Sequence, residues 1–306
     1  MSSASERLSL LAFRAGWKLV RVAPERLAYG AFDLGARITT RRNGRDVQRM
    51  RGNYARVHPD ISADDLERMV ADGIASYLRY WCDAFRLADR SPADLAKRVR
   101  TVNDEPVRES LAAGDGHIIF LGHLGNWDTA GGWATSHMAP VTTVAERLKP
   151  EELFQEFVAF REALGMTIYP LTGTEGVFRE LISTIKAGGF VPLLADRDLT
   201  DGGVRVDFLG GIASMAAGPA ALAVATGAPL RAASVHYELR DDLKPGPAAY
   251  RIVISFGPLV PDPGEGTKAE RIQAMTQQCA DFIGAAVREH THDWHMMQRV
   301  FVEDPA

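Results

Sequence analysis

From residue 116 onward the chain alternates short, unbroken apolar runs with amphipathic stretches, and this alternation restricts the fold more than any other feature. His117-Ile118-Ile119-Phe120-Leu121-Gly122, Val141-Thr142-Thr143-Val144-Ala145, Thr167-Ile168-Tyr169-Pro170-Leu171 and Phe190-Val191-Pro192-Leu193-Leu194 read as strands, as do 230–238 and 250–256. Helices are predicted over 151–164, 174–186, 216–226 and 268–289. Apolar strands separated by helices build a central, mostly parallel sheet flanked by helices on both faces, an α/β fold. Lys244-Pro245-Gly246-Pro247 reads as a hairpin-type loop joining the last two strands.

Residues 1–100 read as helical. Over 63–87, Leu66, Met69, Val70, Ile74, Tyr77, Leu78 and Trp81 recur near the 3.6-residue period, with Ser62 at the N-cap position. Ser91-Pro92 then breaks the pattern. The expected organisation is one domain over 1–306, with a helical, membrane-associating region over 1–100 and an α/β core over 101–306.

Charge separates the same two parts. Residues 1–60 hold 12 Lys+Arg against 5 Asp+Glu, whereas the whole chain stands at −4. Such asymmetry points to an anionic partner for the N-terminal part. Arg7, Arg14, Lys18 and Arg21 fall on one narrow helical stripe. Leu8, Leu10, Leu11, Phe13, Trp17, Leu19 and Val20 fill much of the remaining circumference. A helix of that make-up suits an anionic membrane surface, and a core helix with a solvated basic edge is the plainer alternative. Nucleic acid is not expected, since no binding motif accompanies the charge.

No window reaches the roughly 20 apolar residues of a spanning helix, and the N-terminal apolar stretch is broken by Arg14 and Lys18, unlike a secretory signal. The two cysteines, Cys82 and Cys279, are far apart and fit a reducing compartment. A peripheral protein on the cytoplasmic face of the cell membrane is therefore expected.

The motifs of an α/β-hydrolase serine, a phosphate-binding loop, a dinucleotide fold and a zinc site are all missing from the sequence. The end of the first predicted strand stands out instead: His123-Leu124-Gly125-Asn126-Trp127-Asp128, after which a helix is expected. In an open α/β sheet, strand carboxyl ends and the following helix N-termini form the ligand crevice. A histidine there can act as a base, and Asp128, five residues on, can fold back to its imidazole. A capped loop histidine with a first-turn aspartate is the alternative reading. The backbone N–H groups around Gly125 to Trp127 are candidate oxyanion donors.

Further charged residues belong at the same edge. Asp196-Arg197-Asp198 follows the 190–194 strand, so Asp196 is a second carboxylate able to orient His123, and Arg197 can face an anion. Arg147 and Lys149 follow the 141–145 strand, and Arg161 lies on the next helix. Each alone reads equally as a surface residue.

The ordered set of H-x4-D after a strand, Asp196-Arg197-Asp198, Val206-Asp207-Phe208-Leu209-Gly210-Gly211 and Ala217-Gly218-Pro219-Ala220-Ala221-Leu222-Ala223 resembles the lipid A late-stage (lauroyl/myristoyl) acyltransferase family. Within it, HLGNWD, AERLKPE, ADRDL and the terminal Asp293-Trp294-His295-Met296-Met297-Gln298 are most similar to the phosphatidylinositol mannoside acyltransferase branch. The resemblance spans most of the chain. It implies a glycerolipid-acyltransferase-like fold and an enzyme moving a palmitoyl-type chain from acyl-CoA, a co-substrate, with no bound cofactor and no metal. The implied acceptor is the 6-hydroxyl of the inositol-2-linked mannose of a phosphatidylinositol mannoside. By likeness, His123 is the general base, Asp196 its support, Asp128 the motif acid, and Arg161 a contact to the acyl donor. Arg147, Lys149, Arg197 and Asn126 complete the expected substrate-binding set. One departure is visible: that branch carries Glu at the place of Asp196. Another glycolipid or lysolipid acceptor, or a catalytically inactive membrane-binding domain, are the alternatives.

Overall fold

The computed structural model describes residues 4–147, 149–171, 176–198, 202–240, 242–244, 246 and 249–302, with side chains from residue 13 onward. The helical N-terminal region comprises α1 (Ala4–Val22), α2 (Glu25–Arg42), α3 (Arg45–Val57), α4 (Ala63–Leu87) and α5 (Pro92–Arg98). The expected helix over 63–87 is α4, and Ser62 Oγ caps it by accepting from Asp65 N–H at 3.1 Å.

The remainder alternates as the apolar runs required. It contains β1 (Val99–Val102), α6 (Glu105–Ala112), β2 (His117–Leu121), α7 (Trp127–His137), β3 (Thr142–Ala145), α8 (Glu151–Ala163), β4 (Thr167–Pro170), α9 (Val177–Lys186) and β5 (Phe190–Leu194). There follow β6 (Val204–Phe208), β7 (Gly211–Met215), α10 (Gly218–Thr226), β8 (Leu230–Leu239), β9 (Tyr250–Val260) and α11 (Lys268–Glu289).

The central sheet has the order β1-β9-β8-β2-β5, parallel throughout except for the β8–β9 pair. Part of the loop between β8 and β9, including Pro245 and Pro247 of the expected hairpin loop, lies outside the described residues. The parallel pair β3–β4 adjoins the sheet through a bridge between Val141 and Phe190, and β6–β7 forms a separate hairpin. Alternate residues of β2 feed two cores. Ile118 and Phe120 pack with Leu222, Cys279 and Ile283, whereas Ile119 packs with Ala130, Trp133, Val235 and Ile254. Helices thus cover both faces, α10 and α11 on one and α7 on the other.

The N-terminal expectation needs a correction. Trp17 was placed on a lipid-facing surface; its indole N–H instead donates to Phe85 O at 3.0 Å, and its ring packs against Phe13, Phe85, Phe157 and Phe160. An aromatic cage on the protein outcompetes the water interface for so large a ring. Arg14 and Arg21 of the basic stripe pair with Glu156 and Asp89. The side chains of Arg7, Leu8, Leu10 and Leu11 lie outside the described residues. Leu19 of the expected apolar set is exposed, together with Val22 at the end of α1 and Leu27, Leu34 and Ile38 along α2. No helix among the described residues is long and apolar enough to cross a membrane.

Candidate active site

Between β2 and α7 the chain turns through the expected motif. Gly125 adopts φ +55°, and a Cβ there would come within 2.6 Å of Val235 O, so the turn demands glycine on both conformational and steric grounds. The C-terminal segment holds the loop from outside. Gly125 N–H donates to Asp293 O at 2.8 Å, and His295 N–H donates to His123 O at 2.9 Å. Gly125 N–H is thereby removed from the expected oxyanion donors.

Of the two carboxylates open to His123, the structure brings Asp196. Strands β2 and β5 are neighbours in parallel register, Leu121 beside Leu194, so His123 and Asp196 emerge at the same edge. Asp196 is fully buried, and its Oδ1 lies 2.5 Å from His123 Nδ1. Its Oδ2 accepts from His123 N–H at 2.9 Å and from Trp294 Nε1–H at 3.4 Å. Burial alone would raise this carboxyl, but His123 and these hydrogen bonds outweigh it and hold Asp196 below its usual range. An ionised Asp196 accepts only, so Nδ1 carries the proton and Nε2 is the nitrogen left to take another.

Asp128 does not reach the imidazole. At the first turn of α7 it accepts from Arg161 Nε at 2.7 Å and Nη2 at 3.1 Å, and from Tyr80 O–H at 2.7 Å. Burial opposes the Arg161 charge, but Asp128 and Tyr80 more than restore it and raise the guanidinium above its ordinary value. The H-x4-D motif therefore supplies two separate pairs, His123–Asp196 and Asp128–Arg161.

Both pairs open on a cavity of ≈ 420 Å³ between α7 and one face of the sheet. Its walls are apolar, among them Ile119, Leu121, Ala134, Met138, Val235 and Phe256. Arg197 also lines it, with its Nε buried and lacking a hydrogen-bond partner among the described residues, while its Nη2 lies 3.3 Å from Glu146.

Three expected contacts fall outside this cavity. Arg147 and Lys149 are exposed and absent from its lining, and Arg147 is engaged with Glu151 at 2.7 and 2.9 Å. Asn126 is fully buried: its Oδ1 caps α7 by accepting from Thr129 N–H at 2.9 Å, and its Nδ2 donates to the Tyr237 phenol oxygen, Oη, at 3.1 Å. Its side chain serves the helix terminus and is not part of the cavity lining.

His295 received no role from the sequence, because it follows the last helix and only the terminal motif marked it. It is 7% exposed, lines the cavity, and is held neutral by burial, which pushes its imidazole down to about 3. Ser76 Oγ–H donates to Asp293 Oδ1 at 2.5 Å, so its oxygen accepts from His295 Nε2–H at 2.9 Å. The bare nitrogen is then Nδ1, buried and without a hydrogen-bond partner among the described residues.

The description "Bacterial lipid A biosynthesis acyltransferase" belongs to the family model that matches residues 6–303. A phosphatidylinositol mannoside acyltransferase of Mycolicibacterium smegmatis is 39% identical over 295 residues, covering 96% of this chain and 91% of the relative. One of the same name from Mycobacterium tuberculosis H37Rv is 37% identical over 306 residues, covering 99% of this chain and 92% of the relative. With a His–Asp pair at a sheet edge, an apolar cavity beneath it and a match over nearly its whole length, the chain belongs to the bacterial lipid A biosynthesis acyltransferase family.

Proposed function

We propose that this acyltransferase moves a long acyl chain, palmitoyl by preference, from acyl-CoA to the 6-hydroxyl of the inositol-2-linked mannose of a phosphatidylinositol mannoside. The observation that carries the reading is the His123–Asp196 pair at the wall of a deep apolar cavity. A slot with such apolar walls suits a hydrocarbon chain. The acceptor class comes from the names of the relatives. The polar part of the lining suits a polyol: Tyr80, Asp128, Arg161 and the bare Nδ1 of His295 offer both donors and acceptors.

His123 Nε2 takes the hydroxyl proton as the sugar oxygen attacks the thioester carbonyl, and Asp196 stabilises the imidazolium. Trp127 and Asp128 open α7, whose N-terminal amides and dipole favour the developing oxyanion. Collapse of that intermediate breaks the C–S bond, and the imidazolium returns its proton to the coenzyme A thiolate. The exposed Leu27, Leu34 and Ile38 of α2, with Arg26, Arg37, Arg41 and Arg42 on the same helix, support a peripheral seat on an anionic membrane, on its cytoplasmic face.

The test is transfer from radiolabelled palmitoyl-CoA, with products identified by mass spectrometry across several glycolipid acceptors. The mannoside should be the best acceptor. His123→Ala should abolish transfer while leaving the fold and vesicle binding intact; activity surviving that change overturns the mechanism.

A further inference from the structure

Asn126 can cap α7 in only one orientation of its amide, and a hydrogen-bond chain that starts on α4 sets that orientation. Asp83, on α4, receives two phenols: Tyr29 O–H of α2 on Oδ1, and Tyr237 O–H of β8 on Oδ2 at 2.7 Å. Burial and the Asp83 carboxylate keep the Tyr237 phenol well above its usual value, so the proton stays on oxygen. With that one proton directed at Asp83, Tyr237 turns a lone pair toward Asn126, and only Nδ2–H of Asn126 can meet it at 3.1 Å. Asn126 Oδ1 is thereby aimed at Thr129 N–H, the cap of α7.

We propose that Asp83 is a positioning residue for acyl transfer, acting through Tyr237 and Asn126 to aim the first amides of α7 at the reacting carbonyl. It rests on the acyl-transfer reading above. The direction of each hydrogen bond in the chain follows from Asp83 being an acceptor only. Were that carboxylate replaced by a group that can donate, the Tyr237 proton could face Asn126. The amide would then flip and present N–H to N–H at the helix terminus. Tyr29 extends the chain to α2, so this surface helix contributes to the active-site frame as well as to any lipid contact.

Tyr237→Phe cuts the link and keeps the ring. In the full-length enzyme it should lower kcat about tenfold and leave KM for palmitoyl-CoA within about twofold, as expected when geometry rather than binding is disturbed. Amide hydrogen exchange should quicken at Thr129 and not at Ile118 to Phe120. Asp83→Asn should act in the same direction but less. The double variant should be no slower than Tyr237→Phe, because the link is already cut. An unaltered kcat with unaltered Thr129 exchange overturns the proposal, as do losses that multiply in the double variant. Should Tyr237→Phe fail to fold, Asp83→Asn alone decides: unchanged kcat with unchanged exchange at Thr129 overturns the proposal. Thr129 exchange is read without substrate, so the proposal can fail while the transfer reaction stands. If the unaltered enzyme acylates no glycolipid, the reading of the reaction fails even where the exchange result holds.

Discussion

The backbone N–H and the ring Nδ1 of His123 end on the two oxygens of a single carboxylate, Asp196, at 2.9 and 2.5 Å. One side chain thus fixes both the loop that carries His123 and the tautomer of its ring. Asp196→Asn preserves the shape and removes the charge, and its amide N–H can pair with Nδ1 only in the wrong tautomer. The expected loss in kcat is about 10²–10⁴, with KM for acyl-CoA little changed, read by steady-state kinetics. A loss below threefold would remove Asp196 from the mechanism.

The buried Asp128–Arg161 pair should respond asymmetrically. Arg161→Ala strands a buried carboxylate and should lower stability by about 3–5 kcal/mol. Arg161→Lys keeps the charge, loses the bidentate geometry, and should fall between the two. Chemical denaturation of the three proteins gives the ranking, and equal stability of the Ala and Lys variants would contradict it.

Acid should unfold the protein through its buried histidines. Burial holds His117 down to about 4 and His295 down to about 3, both below the ordinary value of 6.5. Between pH 6.5 and about 4 the unfolded chain takes up protons that the folded chain refuses. Stability therefore falls as pH falls, by at most about 1.4 kcal/mol per pH unit for each histidine. Neither nitrogen of His117 has a hydrogen-bond partner among the described residues, so His117→Leu should flatten the dependence of Tm on pH. An equally steep profile in that variant would assign the effect to other groups.

Acyl-chain length should be set along α7. Trp127, Gly131, Ala134 and Met138 line the cavity from one helix face, and Trp127 to Met138 spans about 16 Å at 1.5 Å per residue. At about 1.25 Å per trans methylene, from a C–C bond near 1.5 Å, this is room for about 13 carbons counted from Trp127. Ala134→Phe fills the slot about 10 Å down and should reduce use of a palmitoyl donor by about 10–200-fold while sparing an octanoyl donor. Parallel losses with both donors would place the chain elsewhere.

The elements were legible wherever pattern and burial agree. Unbroken apolar runs gave β2 and β5, and the 3.6-residue period gave α4 to the residue. β1 and β6 escaped because Val99–Val102 contains Arg100 and Thr101, and β6 alternates outward Arg205 and Asp207 with buried Val206 and Phe208. The motif located His123, but its partner depends on which strand lies beside β2, and strand order is a property of the whole sheet. Asp128 is nearer in sequence; adjacency of β2 and β5 favours Asp196 instead. Asn126 and Trp17 show the complementary difficulty. Both have residue types suited to a ligand or interface, and both are consumed by hydrogen bonds and packing that only tertiary structure reveals.

The loop bearing His123 is completed by Asp293 and His295, residues about 170 positions further along the chain. The same segment supplies His295, Met296 and Met297 to the cavity wall. Unseating it would therefore free Gly125 N–H and His123 O together and open one side of the slot, so the shape of the loop and the closure of the cavity depend on a single stretch of backbone.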